Sequence, residues 1–182
     1  MSKRDTAATL TLPVGERDHA QGPADAAVTL VEYGDYECPY CGRAYPIVKQ
    51  IQKKMGGRLR FIFRNFPLKE SHPHAEHAAE AAEAAGVQGK FWEMHDRLFE
   101  RQFALEDSSL AEYAGDLGLD VDRFARELAQ GTYAQRVRED FRSGVSSGVN
   151  GTPTFFIDGV RHDGSWDVDT LLAALQQAGR RT

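Results

Sequence analysis

Apolar and polar positions follow two different periods along this chain. Val28-Thr29-Leu30-Val31-Glu32-Tyr33 is a short, β-rich apolar run and predicts a buried strand. From Pro39 to Met55 the pattern is helical, and Gly56-Gly57 stops it. Leu59 to Phe66 predicts a second strand. A long helical tract follows. His74 to Ala85 is alanine-rich and closes at Gly86, and Lys90 to Arg101 carries Phe91, Met94, His95 and Leu98 at helical spacing. Ser108 is placed to cap a helix ending near Leu117, and Asp120 another around Phe124 and Leu128. A last one runs from Tyr133 towards Val145. β character returns at Thr154–Ile157 and Val160–His162, where the intervening Asp158-Gly159 is a two-residue hairpin signal. Asp167 can cap a final helix through Leu171, Leu172 and Leu175, with Gly179 at its end. The predicted order is β-α-β, helices, β-β-α, without an internal repeat. Residues 1–26 read as an extended lead-in with a turn at Gly22, Pro23 and Asp25, and residues 27–182 as one domain with a helical insert at about 72–148.

The length of 182 residues suits one domain carrying an insertion, and an apolar fraction of 41% supplies its core. The formal net charge of -5 argues against a nucleic-acid partner, since an acidic surface repels phosphates. No apolar run approaches the ~20 residues of a membrane helix, so no membrane partner is expected. The stretch from Met1 to Gly22 is polar, with Lys3, Arg4, Asp5, Glu16, Arg17 and Asp18, and does not read as a secretory signal. The expected location is therefore cytoplasmic, a signal already removed being the alternative.

The only cysteines are Cys38 and Cys41. A bridge between them closes a tiny loop and would constrain the unfolded chain little, so it makes more sense as chemistry than as a staple. Pro39 suits the first helical position, which puts Cys38 at the N-cap. Free N–H groups and the positive helix end there stabilise a thiolate. Cys41 lies about one turn in and faces the body of the protein. One thiol is then exposed and acidic and the other shielded, the asymmetry that disulfide exchange needs. A zinc site is the competing reading. It needs four ligands, and His72, His74 and His77 are the candidates to complete it, although they suit capping and lining a surface helix better. His72, Glu76, His77, Glu80 and Glu83 together read as a solvated face. Phe91, Trp92 and Phe99 read as core of the insert, and Trp166 as packing under the last helix.

Cys38-Pro39-Tyr40-Cys41, together with Gly151-Thr152-Pro153-Thr154-Phe155-Phe156, resembles the thioredoxin superfamily. The helical tract before Pro153 resembles its DsbA-like branch, and the likeness covers Leu30 to Leu175. The resemblance implies an α/β thioredoxin-like fold with a helical insertion between the second strand and the cis-proline strand. It implies a cis Thr152–Pro153 bond, a proline inside the active-site helix at Pro46, and a buried carboxylate at Glu32. Val28, Leu30 and Glu32 share one strand face, so Glu32 should point inward and move a proton to or from Cys41. The alternative is a glutamate in solvent or paired with Arg60 or Arg64.

The activity implied is thiol–disulfide exchange on protein dithiols or disulfides. Cys38 is the attacking thiol and Cys41 the resolving one, while Pro39, Tyr40, Thr152 and Pro153 form the substrate groove. No cofactor and no metal is expected, and the partners are substrate proteins and a redox partner. Pro39-Tyr40 resembles glutaredoxins whereas the insert resembles DsbA-like oxidants, so the direction of transfer stays open. The rivals are a glutathione-dependent reductase and a non-catalytic zinc or partner-binding module.

Overall fold

The computed structural model describes residues 7–181. The charged start at Lys3, Arg4 and Asp5 lies outside the described residues, as does Thr182. Five strands form one sheet: β1 (His19–Gln21), β2 (Val28–Gly34), β3 (Leu59–Asn65), β4 (Thr154–Ile157) and β5 (Val160–His162), in the order β1-β3-β2-β4-β5. β2 and β3 run parallel, with Leu30 opposite Phe61 and Glu32 opposite Phe63. Parallel neighbours need a crossover, and α1 (Pro39–Met55) supplies it. β4 returns antiparallel to β2 with Phe155 opposite Glu32. Asp158 and Gly159 turn the chain into β5 at φ 47° and 80°, the left-handed values that the tight hairpin requires. Part of the stretch expected as an extended lead-in is thus a strand, since β1 pairs antiparallel with β3 at the sheet edge.

Strand parity sorts the core into two layers. Leu30, Phe61, Phe63 and Phe155 pack with α1, whose inward stripe is Cys41, Ala44, Val48, Ile51 and Met55, and with α7 (Val168–Ala178) through Leu171 and Leu175. This spacing of three and four residues is one helix face, and the helix runs unbroken through Pro46. On the other side of the sheet Val31, Tyr33, Ile62, Phe66, Phe156 and Val149 form a smaller cluster. Trp166 packs, partly buried, against the larger one.

Between β3 and β4 lie α2 (Ala75–Val87), α3 (Phe91–Glu100), α4 (Asp107–Asp116), α5 (Val121–Ala129) and α6 (Ala134–Ser146). α2 touches each of the other four, and its buried alanines permit that close approach. This corrects part of the reading of a solvated face here, since His77 is exposed but two of the glutamates are not. Glu80 and Glu83 are buried, and Glu83 is held by His19 at 2.8 Å and by the Asn65 amide at 2.8 Å. A second correction concerns Ser108. α4 already begins at Asp107 after an extended Glu106, so Ser108 lies inside the helix and not at its cap. Asp120 and Asp167 do cap, accepting from the N–H of Arg123 and of Thr170, each at 2.9 Å. No helix among the described residues is long and apolar enough to cross a membrane.

Candidate active site around Cys38 and Cys41

The site lies where β2 ends and α1 begins. Gly34 ends the strand against the Phe63 ring, and a Cβ there would come within 2.4 Å of that ring. Asp35 then shapes the turn. Its Oδ1 accepts from the N–H of Glu37 at 2.7 Å and of Cys38 at 3.2 Å, the pattern of an Asx turn. Cys38 takes the N-cap with extended φ −69° and ψ 122°, and Pro39 follows in the first turn. The Cys38 carbonyl accepts the first helical bond from the Gly42 N–H at 3.0 Å.

Gln102, from the segment after α3, closes over this turn. Its Nε2 donates to the carbonyls of Tyr36 at 2.9 Å and Cys38 at 2.7 Å. Gly42 leaves the room for it, because a Cβ there would lie 2.3 Å from Gln102 Oε1. On the far side the Thr152–Pro153 bond is cis, and the Thr152 carbonyl lies 3.5 Å from Cys38 Sγ.

The two thiols differ sharply in acidity, although exposure hardly separates them. Cys38 was expected to be exposed, yet it is only 3% accessible against 0% for Cys41. A hydrogen bond from the Cys41 thiol is the largest cause holding the Cys38 pKa down to about 5. Burial opposes it, and the N–H groups of Cys41 and Tyr40 add to it. Burial pushes Cys41 up, reinforced by the bond it gives to Cys38 and by the nearby Glu32 charge. Its Sγ accepts from the Asp35 N–H at 3.5 Å.

Glu32 points into the same core layer as Cys41. It is 2% exposed, and burial, helped by the Cys38 charge, raises its pKa to about 8. Its Oε1 has no hydrogen-bond partner among the described residues. Arg64, a partner considered for it, instead gives its guanidinium to Asp18 at 2.8 and 3.0 Å. Pro39 and Tyr40 lie exposed at the rim, with Arg43 stacked 4.5 Å from the Tyr40 ring centre.

The histidines do not converge on the cysteines as a ligand set. His72, His74 and His77 hydrogen-bond to three separate carboxylates, those of Asp35, Glu37 and Asp107. Among the described residues no group of three or more His, Cys, Asp or Glu side chains is arranged to hold a metal. Sequence reasoning missed Asp35 and Gln102, and placed His72 only as a zinc candidate or on a surface helix. The spacing of Asp35, three residues before Cys38, is an Asx-turn signal that could have found the first.

The thioredoxin family model matches residues 15–177. A protein of Salinispora arenicola named Na(+)/H(+) antiporter NhaA 1 is 49% identical over 170 residues, which are 93% of this chain and 26% of that protein. A protein of Herminiimonas arsenicoxydans named Na(+)/H(+) antiporter NhaA is 45% identical over 167 residues, covering 92% and 26%. The chain thus spans about 26% of the length of these curated relatives. Among solved structures, oxidised BdbD from Bacillus subtilis superposes with a TM-score of 0.85 at 25% identity, covering 96% of this chain and 100% of that one. A thioredoxin-like oxidoreductase from Silicibacter pomeroyi gives 0.81 at 26% identity, covering 92% and 95%. The α-DsbA1 of Wolbachia pipientis shares the fold, with a TM-score of 0.79 at 21% identity over 94% and 95%.

Proposed function

The chain belongs to the thioredoxin family, and from that premise we propose that it is a protein thiol–disulfide oxidoreductase of the DsbA type, run as an oxidant. The observation that carries this reading is the placement of the two thiols, Cys38 at the N-cap of α1 beside the cis Thr152–Pro153 bond and Cys41 fully buried one turn on, which lowers the pKa of the first and raises that of the second. A thiolate that stable is a good leaving group, which favours passing a disulfide on over keeping it.

In the oxidised pair a substrate thiolate attacks Cys38 Sγ, the Cys38–Cys41 bond breaks, and Cys41 leaves. The leaving sulfur needs a proton because its pKa is high. Glu32, whose burial favours its protonated form, is suited to give it. A second substrate thiolate then attacks the substrate sulfur of the mixed disulfide and releases Cys38 as the thiolate. Two electrons pass from the substrate dithiol to the cysteine pair. An extended substrate segment would lie along Pro39, Tyr40 and Pro153 and pair with the Thr152 backbone, a mode that tolerates many sequences.

In a reducing compartment a glutathione pool would keep so oxidising a pair reduced. Turnover as an oxidant there requires a redox partner that withdraws the electrons. The antiporter named for the longer relatives is an attribute of those proteins, and the activity proposed here is that of the segment they share with this chain.

Trapping tests the assignment. A peptide containing one disulfide is mixed with reduced Cys41→Ala and with reduced Cys38→Ala, and adducts are weighed by mass spectrometry. Cys41→Ala should hold a mixed disulfide through Cys38, and Cys38→Ala should hold little. Equal trapping by both would overturn the roles given to the two thiols.

A further inference from the structure

The turn before Cys38 contains a buried carboxylate whose charge ought to oppose the thiolate. Asp35 is 1% exposed, and its Oδ1 accepts from the N–H of Cys38 itself. A carboxylate on the same turn as a thiolate repels it, and that repulsion, left uncancelled, disfavours the charged form of Cys38. The carboxylate cannot simply be absent, because it holds three backbone N–H groups: those of Glu37, Cys38 and, through Oδ2, Leu68 at 2.8 Å. Its fourth partner is His72, whose Nδ1 lies 2.8 Å from Oδ2. His72 comes from the connection between β3 and α2, and its side chain remains 19% exposed, enough to exchange protons with solvent.

We propose that His72 is a positioning residue for the Cys38 thiolate: as an imidazolium bound to Asp35, it cancels the charge of a carboxylate that the turn needs for its shape. The proposal rests on reading Cys38 as the attacking thiol. The groups acting on His72 from the facing turn are Asp35, Cys38 and Glu37, all of which favour its charged form. Burial is the largest single influence and opposes them, but together they outweigh it and the pKa is raised. Lys69 and Glu70 lie on its own connection. The neighbouring His74 is taken up by Glu37 at 3.0 Å and does not compete for Asp35.

Coupling of this kind is reciprocal. If the His72 charge favours the Cys38 thiolate, the thiolate favours the His72 charge by the same amount. Forming the Cys38–Cys41 disulfide removes the thiolate, so the His72 pKa must fall. Between its two values, reduction of the disulfide takes up an extra proton at His72.

Two measurements test this. The imidazole of His72 is titrated by NMR in the reduced and in the oxidised wild-type protein, its signal assigned by its loss in His72→Asn. We expect the reduced form to titrate higher by about half a unit to one unit. Equal values would overturn the proposal, and both titrations are read on the wild-type protein. Thiolate absorbance of Cys38 is then followed against pH in a Cys41→Ser background, alone and with His72→Asn or His72→Ala. Asparagine keeps a hydrogen-bond donor but not the charge. Both variants should raise the Cys38 pKa by about one unit, a tenfold loss of thiolate below it. A merely structural role would leave His72→Asn at the parent value, which would also overturn the proposal. A parent that itself titrates near the ~8.5 of a free cysteine would instead sink the reading of Cys38 as the attacking thiol.

Discussion

Replacing Cys41 with serine and with alanine separates the sources of the acidity of Cys38. The Cys41 thiol is the largest stabilising contact and the helix-end N–H groups are smaller ones. Serine keeps a donor, so Cys41→Ser should leave Cys38 acidic, while Cys41→Ala should titrate about one unit higher. Thiolate absorbance against pH reads both, and identical titrations would contradict the ordering of causes. Glu32 makes the opposite contribution to stability. Its pKa rises from 4.5 unfolded to about 8 folded, so the stability present below the unfolded value is lost as pH rises through 8. Glu32→Gln should therefore be more stable than the parent at pH 7, on the order of 1–3 kcal/mol, while slowing release of Cys41. Urea melts across pH test this, and a less stable variant at pH 7 would contradict it. At this scale the N-cap place of Cys38 and the inward direction of Cys41 and Glu32 were legible because spacing and strand parity are local. Asp35 to His72 and Gln102 to Cys38 are contacts between distant stretches, and no period in the sequence encodes them.

The insert and the active-site helix meet at Gln102 and Gly42. Gly42→Ala would drive a methyl group to within 2.3 Å of Gln102 Oε1 and push that flexible side chain off the Tyr36 and Cys38 carbonyls. Each bond lost costs about 1 kcal/mol. Gly42→Ala and Gln102→Ala should each destabilise by roughly 1–3 kcal/mol, and the double variant by less than their sum, because both remove the same contact. Chemical denaturation of the four proteins closes that cycle, and strict additivity would contradict it. The helices were readable from apolar periodicity, and the β4–β5 hairpin from Asp158-Gly159. β1 was not, since His19-Ala20-Gln21 is too short to show alternation. The acidic face of α2 misled because burial of Glu83 depends on His19 and Asn65, partners from other elements.

The molecule as a whole is tied together by Arg64, which joins Asp18 and the carbonyls of Leu12 and Pro13 to Tyr33 of the sheet. Both ends of the Arg64–Asp18 pair are buried, so Asp18→Ala leaves an unpaired guanidinium and should cost about 3–5 kcal/mol in a denaturant melt. A loss below 1 kcal/mol would contradict that role. Global stability also carries the signature of the redox pair. The folded Cys38 pKa is depressed, so its gain is full above the unfolded value of ~8.5, shrinks as pH falls, and is gone below about 5. At pH 7 it stabilises the reduced form by roughly 2–3 kcal/mol, a gain the disulfide form cannot make. The reduced protein should therefore be at least as stable as the oxidised one. Equilibrating the Cys38–Cys41 pair across a series of glutathione buffers at pH 7 tests this account most directly. We expect a reduction potential well above about −200 mV, towards the ~−120 mV of DsbA. A value near the ~−270 mV of thioredoxin would contradict it, and would make the same two cysteines a reductant.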